Sequence, residues 1–318
     1  MDFPIQNIPM QSIPIICGPT STGKTSLALN LAKKLNAVII SADSRQIYKQ
    51  MDIGTGKLPV SANHIVKKSK ETWEIDGVTV YGYDLVHPNE VYSAFDFCNY
   101  ARGVIEENFV HNKRVLVVGG TGFYIDTLTG KVLPSGAPPD HFLRAELNTL
   151  SLDMLQEKLH VLSIDIFNSI DIKNKVRLIR AIEKLTHPVS AASLKQLPFD
   201  AKYVYLGLKA SNEYMYSKAD LWAELVWKNG LVNETQKLIS LGYQNAAPLN
   251  GIIYKSVQAY INGSMTSEAV LQRIKYDLHS YIRRQLTWFK KNTDIHWCDV
   301  SVLSEEQIKS DALRLFSV

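Results

Sequence analysis

A glycine-rich segment near the N-terminus has the residue types and spacing that bind phosphate. Gly18, Gly23, Lys24 and Thr25 satisfy the pattern GxxxxGK[ST], and the segment lies between an apolar run and a helical pattern. Glycines let backbone amides turn toward phosphate oxygens, Lys24 adds a full charge, and the Thr25 hydroxyl can ligate magnesium. The predicted phosphate-binding residues are Gly18, Pro19, Thr20, Ser21, Thr22, Gly23, Lys24 and Thr25.

The acid that usually accompanies such a loop is missing. A kinase or nucleoside triphosphatase places a carboxylate at the end of a buried strand to hold magnesium. Here the apolar run 115–118 leads into Gly119-Gly120-Thr121-Gly122, and the nearest comparable acid is Asp43, after the run 39–42. Asp43 alone is compatible with a helix N-cap, a magnesium ligand or a general base that takes a proton from an attacking amine.

These residues follow elements typical of an α/β fold. Apolar runs bounded by turn residues predict buried strands, helical spacing predicts helices at 26–35 and 92–109, and Asp76-Gly77 predicts a hairpin within 73–83. The predicted strands are 13–17, 38–41, 115–118 and 203–208. We therefore expect a P-loop NTPase-like parallel sheet flanked by helices, with an antiparallel hairpin added to it.

Breaks in the pattern divide the chain into three parts. Residues 134–139 are rich in Pro and Gly, and no further strand pattern occurs before Tyr203. We expect 1–133 to form the first part of the P-loop core, and 134–200 an inserted all-helical domain. Residues 201–318 would then supply the last strand and a helical C-terminal part, including a long helix over 264–291 and an apolar tail at 296–302.

The composition of the 318-residue chain is that of an ordinary globular protein, with 46% hydrophobic residues and a net charge of +4. The three cysteines lack a CxxC pair or metal-ligand spacing, and isolated histidines such as His296 are interpreted as surface or packing residues. The first sixteen residues do not resemble a signal peptide, and no apolar run reaches transmembrane length. We expect a cytoplasmic monomer that does not bind membranes.

Positive charge is concentrated near the C-terminus. Residues 272–291 carry six cations against the single acid Asp277, a local net charge of +5. Four aromatic residues are interleaved with them, namely Tyr276, Tyr281, Trp288 and Phe289. This arrangement favours contact with a nucleic acid, although a solvated helix with its aromatics turned to the core has the same pattern.

Several segments together resemble one family. The run 40–57, which reads ISADSRQIYKQMDIGTGK, is similar to the tRNA dimethylallyltransferase (tRNA isopentenyltransferase) family, bacterial type. The phosphate loop, DLVHP at 84–88, GGTGFY at 119–124, RLIRAIE at 177–183 and RRQLTWF at 283–289 follow in the order of that family. The resemblance covers most of the chain.

The resemblance implies transfer of a dimethylallyl group from its diphosphate to the exocyclic amine of the adenosine 3′ of the anticodon in tRNA. Magnesium would assist as cofactor, held in part by Thr25. Asp43 would be the general base, and Thr121 a catalytic residue that helps to position Asp43 or the diphosphate. The phosphate loop would hold the leaving diphosphate, and the inserted domain would grip the RNA. The implied tRNA-binding residues are Asp43, Ser44, Arg45, Gln46, Arg144, Arg177, Arg180, Tyr254, Lys255, Arg283 and Arg284.

Three positions depart from the family. Trp222 stands where an arginine near the diphosphate is usual, Ile253 where a glycine is usual, and Ser256 where an acid is usual. The alternatives that stay open are a small-molecule or nucleotide kinase, a prenyltransferase acting on free adenine nucleotides, and a tRNA-binding relative without catalysis.

Overall fold

The computed structural model describes residues 12–59, 64–70, 72–132, 140–187 and 201–317. The chain forms two compact units, one from Met1–Lys131 with Gln196–Val318 and the other from Val132–Lys195. The Pro- and Gly-rich segment 134–139 lies outside the described residues. Within them, no helix combines the length and apolarity that crossing a membrane requires.

An eight-stranded sheet organises the described residues of the first unit. Its strands are β1 (Ser12–Cys17), β2 (Ala37–Ser41), β3 (Val66–Lys68), β4 (Thr72–Ile75), β5 (Val78–Tyr81), β6 (Arg114–Gly119), β7 (Lys202–Lys209) and β8 (Ile295–Asp299). The order is β3-β4-β5-β2-β6-β1-β7-β8, and all pairs from β5 to β8 are parallel. The prediction of a parallel sheet flanked by helices is confirmed, and each predicted strand matches an observed strand within one residue at either end.

The predicted hairpin is present as β4 and β5, paired antiparallel. Asp76 and Gly77 have φ of 50° and 82°, the two left-handed residues that a type I′ turn needs. Two strands were missed. β3 is short and exposes Lys67 and Lys68 at the sheet edge, and β8 overlaps the predicted apolar tail, so neither shows a regular alternation over enough residues.

Helices cover both faces of the sheet. Those of the first unit are α1 (Lys24–Leu35), α2 (Ala94–Val110), α3 (Gly122–Leu128), α8 (Asn212–Val226), α9 (Val232–Ser240), α10 (Tyr254–Ile261), α11 (Ser267–Phe289) and α12 (Glu305–Phe316). One apolar cluster joins β1, β2 and β6 to α2 and α3, and the opposite face packs on α1 and α12. A third cluster packs α8, α9, α10 and α11 together.

The long predicted helix is α11. Thr266 caps its N-terminus by accepting a hydrogen bond from the Ala269 amide. Its buried residues recur every four positions, at Val270, Ile274, Leu278 and Ile282, so one stripe packs inward and the basic residues occupy the other faces.

The second unit is helical over its described secondary structure. It contains α4 (His141–Thr149), α5 (Leu152–Leu162), α6 (Ile164–Ser169) and α7 (Lys175–Thr186). Leu147, Leu155, Leu159, Leu178 and Ile182 form its buried core. It therefore has an apolar core of its own.

Candidate functional site

The phosphate loop connects the end of β1 to the start of α1. Gly18, Ser21 and Gly23 have φ of 133°, 67° and 81°, which turns the backbone sharply before α1 begins at Lys24. A Cβ atom on Gly18 would lie 2.3 Å from the carbonyl oxygen of Leu208 on β7. Glycine is therefore required at position 18 for β1 to continue into the loop beside β7.

Lys24 is folded back over this loop. Its ammonium donates a hydrogen bond to the Pro19 carbonyl at 2.6 Å. Burial lowers the pKa of Lys24 to about 8, and the charge of Asp43 acts in the opposite direction. An anion entering the loop would stabilise the ammonium form and compete with the Pro19 carbonyl for its protons.

Asp43 follows the carboxyl end of β2. Its Oδ1 accepts a hydrogen bond from the Arg45 amide at 2.9 Å, and the next residues form a turn rather than a helix, so Asp43 is not a helix N-cap. Burial raises the pKa of the Asp43 carboxyl, although the Arg45 amide and Lys24 act to lower it. A carboxylate with a raised pKa is a stronger proton acceptor than an exposed one.

Thr121 follows the neighbouring strand β6 and contacts the same turn. Its Oγ1 accepts a hydrogen bond from the Ser44 amide at 3.0 Å, and its own amide donates to the Ala42 carbonyl at 3.2 Å. A Cβ atom on Gly119 would lie 2.1 Å from that carbonyl oxygen, so a glycine is needed for this approach. The two strand ends thus bring Thr121 next to the residue that follows Asp43.

Gln285 of α11 connects the phosphate loop to the glycine-rich segment after β6. Its Oε1 accepts a hydrogen bond from the Thr20 amide, and its Nε2 donates to the Gly120 carbonyl, both at 2.9 Å. A Cβ atom on Gly120 would lie 2.4 Å from this Nε2. Gln285 was not predicted as a site residue. The signal in the sequence was a glutamine on the apolar stripe of an amphipathic helix, where a buried amide needs partners.

Of these groups, Lys24, Asp43 and Gln285 line one cavity of about 570 Å³ in the first unit, and Thr121 contacts its lining residue Ser44. Lys24, Thr25 and Asp43 contribute to its polar wall, and Val80 and Leu278 contribute to its apolar wall. Further lining residues with aromatic rings are Tyr83, Trp222, Tyr254 and Tyr281. Its volume and mixed lining suit a small ligand that has both anionic and apolar parts.

Glu234 on α9 holds the segment 52–54, close to the cavity, by its backbone. Its carboxylate accepts hydrogen bonds from the amides of Asp52, Ile53 and Gly54 at 2.8, 2.7 and 3.0 Å. It also accepts one from the Tyr254 hydroxyl at 2.7 Å. Gly54 lines the cavity, and a Cβ atom on Gly54 would lie 2.7 Å from the Tyr254 ring, so this carboxylate fixes part of the cavity wall.

Lys57 also holds this segment, through an ion pair with Asp52. Its side chain is fully buried, and its ammonium donates to Asp52 at 2.6 Å, to Asp84 at 2.5 Å and to the Tyr48 carbonyl at 2.7 Å. The Trp73 indole donates a further hydrogen bond to Asp84 at 2.7 Å. All three ammonium protons thus have acceptors, the condition for keeping a lysine charged in a protein interior.

Of the residues implied to contact tRNA near the cavity, Ser44 and Arg45 line its wall, and Gln46 is buried. Gln46 accepts a hydrogen bond from the Ser41 hydroxyl at 2.7 Å and donates one to the Gly56 carbonyl at 3.0 Å. Its amide therefore supports the cavity wall from inside.

Four more of these residues come from α10 and α11, and two of them, Tyr254 and Arg284, also line the cavity. Tyr254 is buried and bonded to Glu234, whereas Lys255, Arg283 and Arg284 are exposed. Arg283 donates to the Tyr216 hydroxyl at 2.9 Å, and Arg284 lies 5.6 Å from the centre of the Tyr281 ring. Exposed cations of this kind remain available to phosphates.

The other implied arginines belong to the second unit. Arg144 and Arg180 both bind the fully buried carboxylate of Glu183, which also accepts the Asp140 amide at 2.6 Å. Burial acts to raise the pKa of Glu183, but the hydrogen bonds from Arg144 and Arg180 outweigh it and lower this pKa to about 2. Arg177 is exposed. Arg144 and Arg180 therefore have a structural role, pairing with Glu183, that the sequence pattern did not reveal.

Trp222, which replaces an expected arginine, lies on the cavity wall. A Cβ atom on Gly56 would be 3.6 Å from its ring, so the indole lies against Gly56. Lys218, one turn before it on α8, also lines the cavity and offers a cation there. Ile253 is buried and lines the same wall.

Comparison with known proteins gives consistent matches. The family model described as IPP transferase matches residues 46–292, and the model described as isopentenyl transferase matches residues 11–77. The chain is 34% identical to the tRNA dimethylallyltransferase of Clostridioides difficile over 90% of both chains. It is 35% identical to that of Lachnoclostridium phytofermentans over 93% of both chains. Together, the two family models span both the phosphate loop and α11.

Solved structures show the same fold. The full-length tRNA isopentenylpyrophosphate transferase of Bacillus halodurans superposes with a TM-score of 0.69 at 28% identity, covering 96% of each chain. The tRNA isopentenylpyrophosphate transferase of Staphylococcus epidermidis gives 0.68 at 27% identity, covering 96% of this chain and 99% of the other.

Proposed function

The chain belongs to the IPP transferase family, and we propose that it transfers the dimethylallyl group of dimethylallyl diphosphate to a tRNA. The acceptor is N6 of the adenosine 3′ of the anticodon, and diphosphate is released. The observation that carries this proposal is one cavity that joins the phosphate loop to Asp43, whose turn is bonded to Thr121. The segment after β6 offers glycines and a threonine instead of the strand-end acid of a kinase.

The diphosphate of the donor fits the loop 18–25. Backbone amides at the start of α1 and the ammonium of Lys24 are positive groups that would face phosphate oxygens. The Gln285 side chain accepts a hydrogen bond from the Thr20 amide in this loop, so the loop is partly organised before the donor arrives. The apolar part of the cavity would accept the five-carbon group.

The oxygen donors at this wall suit magnesium. The Thr25 hydroxyl and the Asp43 carboxylate both line the cavity, and hard oxygen ligands are those that Mg²⁺ prefers. We assign Thr25, together with diphosphate oxygens, as the ligands of Mg²⁺. When bound, the ion would offset the negative charge that develops on the leaving diphosphate.

The transfer itself is a substitution at carbon. The N6 lone pair of adenosine forms the new bond to C1 of the dimethylallyl group, and the C1–O bond breaks with its electron pair going to the diphosphate. The proton lost from N6 goes to the carboxylate of Asp43. Because burial raises the pKa of Asp43, this carboxylate is a better base than an exposed one. Thr121 holds the turn that carries it, through the Ser44 amide.

The target base must leave its stack to reach this cavity. The exposed Lys255, Arg283 and Arg284 would neutralise phosphates of the anticodon arm, and Arg45 would contact the nucleotide from the cavity wall. Gln46 and Tyr254 would act by holding that wall, since their polar atoms bond to the protein.

Nucleoside analysis tests the proposal. The protein is incubated with dimethylallyl diphosphate, Mg²⁺ and total tRNA, and the digested nucleosides are analysed by mass spectrometry. We expect N6-dimethylallyladenosine from tRNA and none from free adenine nucleotides. ATP hydrolysis without tRNA and without prenylation would instead support a kinase, and tRNA binding without product would support a non-catalytic relative.

A further inference from the structure

A group of three potential metal ligands lies outside the cavity. His296 and Cys298 are on β8 and Asp311 is on α12, and one ligand atom from each lies within 4.8 Å of the other two. Residues two apart on a strand point to the same face. Cys298 packs in the same apolar cluster as Ile308 and Ala312, so this face of β8 is the one that α12 covers.

The donor types of this group define the ligand it would take. An imidazole nitrogen, a thiolate sulfur and a carboxylate oxygen form a mixed set that suits Zn²⁺, whereas Mg²⁺ requires oxygen ligands. We propose that His296, Cys298 and Asp311 bind one divalent cation of the zinc class and thereby tie the last helix to the edge of the sheet. The fourth position of the tetrahedron would hold water.

The surroundings favour this assignment. Cys298 is 1% exposed, whereas His296 is exposed and gives the ion a route from solvent. Arg314 donates a hydrogen bond to Oδ1 of Asp311 at 2.9 Å, which holds the carboxylate in place. Hydrogen bonds that orient a ligand from outside are a usual feature of metal sites.

Closing the site needs only a small movement. Zinc bonds of about 2.0–2.3 Å place the ligand atoms of a tetrahedron about 3.5 Å apart. The present separations of up to 4.8 Å therefore shorten by at most about 1.3 Å, and rotation of the exposed His296 side chain can supply the part that involves its own ring. Binding deprotonates the Cys298 thiol, and the proton goes to solvent.

Cobalt titration of the full-length protein tests the site. Co²⁺ is added in the presence of excess Mg²⁺, and the near-ultraviolet band of a thiolate–cobalt bond is followed. We expect one Co²⁺ per chain, displacement of the band by Zn²⁺, and a melting temperature that rises with added Zn²⁺. His296→Ala should weaken binding by at least about tenfold, because even outer-sphere changes typically weaken metal binding by about 10–100-fold.

Two further variants complete the test. Cys298→Ser should abolish the band, and Cys98→Ala, which removes a buried thiol on α2, should leave it unchanged. If Cys298→Ser fails to fold, His296→Ala still decides, since its side chain is exposed. Absence of the band in the wild-type protein, or equal affinity in His296→Ala, would overturn the assignment. Neither result depends on prenyl transfer.

Discussion

At the scale of single residues, the cavity combines two groups whose pKa values move toward each other. Burial raises the pKa of Asp43 and lowers that of Lys24 to about 8. Each group therefore loses some preference for its charged form in the empty cavity, and each regains it when a partner of opposite charge arrives. The proposed reaction needs Asp43 deprotonated and Lys24 protonated, so activity is confined to the interval between the two pKa values.

This interval predicts a bell-shaped dependence of kcat/KM on pH, measured for dimethylallyl diphosphate. The rate constant rises as Asp43 loses its proton, and it falls near pH 8 as the free enzyme's Lys24 does the same. In the kcat profile the fall shifts to higher pH, because bound diphosphate keeps Lys24 charged. Lys24→Arg should lower activity but remove the fall, since a guanidinium stays protonated. A fall near pH 8 that persists in Lys24→Arg would assign it to another group.

The phosphate loop and Asp43 were predictable from sequence because their surroundings are local. A strand, a loop and a helix follow each other within 12–35, and Asp43 comes two residues after β2. Gln285 and Glu234 were not assigned, since their partners lie 265 and about 180 residues away along the chain. Tyr254 and Gln46 were identified by motif, but only the packing reveals that their polar atoms bond to the protein.

At the scale of elements, α11 supports the site through one buried amide and presents cations on its exposed faces. Gln285→Ala should lower kcat/KM for the prenyl donor by about ten- to a hundredfold, because the Thr20 amide and the Gly120 carbonyl lose their partner. The matched control on the same helix is Arg283→Ala. It should weaken tRNA binding and leave the KM for the donor unchanged. Unchanged donor kinetics in Gln285→Ala would contradict this role.

Helix α9 supports the opposite wall through Glu234. Glu234→Ala leaves three backbone amides and the Tyr254 hydroxyl without their acceptor, so we expect a loss of about 2–3 kcal/mol in the free energy of unfolding by urea. The smaller change, Tyr254→Phe, removes one of these bonds and should cost about 1 kcal/mol.

Measurement of tRNA affinity distinguishes a structural role of Tyr254 from a direct contact with tRNA. Because its hydroxyl bonds to Glu234, Tyr254→Phe should change the stability more than the dissociation constant for tRNA. Unaltered stability together with weakened tRNA binding would show instead that the hydroxyl contacts the RNA.

At the scale of the whole molecule, the cations implied to contact tRNA fall into structural and exposed classes. In the second unit, Arg144 binds the buried Glu183, while Arg177 is exposed. Arg144→Ala should reduce the free energy of unfolding by about 1–3 kcal/mol, because Glu183 keeps Arg180 but loses a second partner. Arg177→Ala should leave the free energy of unfolding unchanged. It should reduce the slope of log K for tRNA binding against log salt concentration by about one. Equal stability of both variants would argue against the ion-pair role of Arg144.

The parallel central strands were predicted from the α/β pattern, whereas their order and the two edge strands were not. Strands β3 and β8 are short, and β8 carries two of the ligands in the proposed metal site. Linear spacing did not indicate this group, because Asp311 comes from a separate helix. A cluster that depends on the packing of α12 against an edge strand has no signature in the spacing of residues along the chain.

The central claim is that Asp43 accepts a proton while the phosphate loop holds the leaving diphosphate. Single-turnover prenylation of a tRNA by the wild-type protein and by Asp43→Asn, with tRNA affinity measured in parallel, tests it most directly. We expect the transfer rate to fall by about 10²–10⁴-fold, the usual contribution of a general base, with tRNA affinity nearly unchanged. Transfer at the wild-type rate in Asp43→Asn would contradict the assignment.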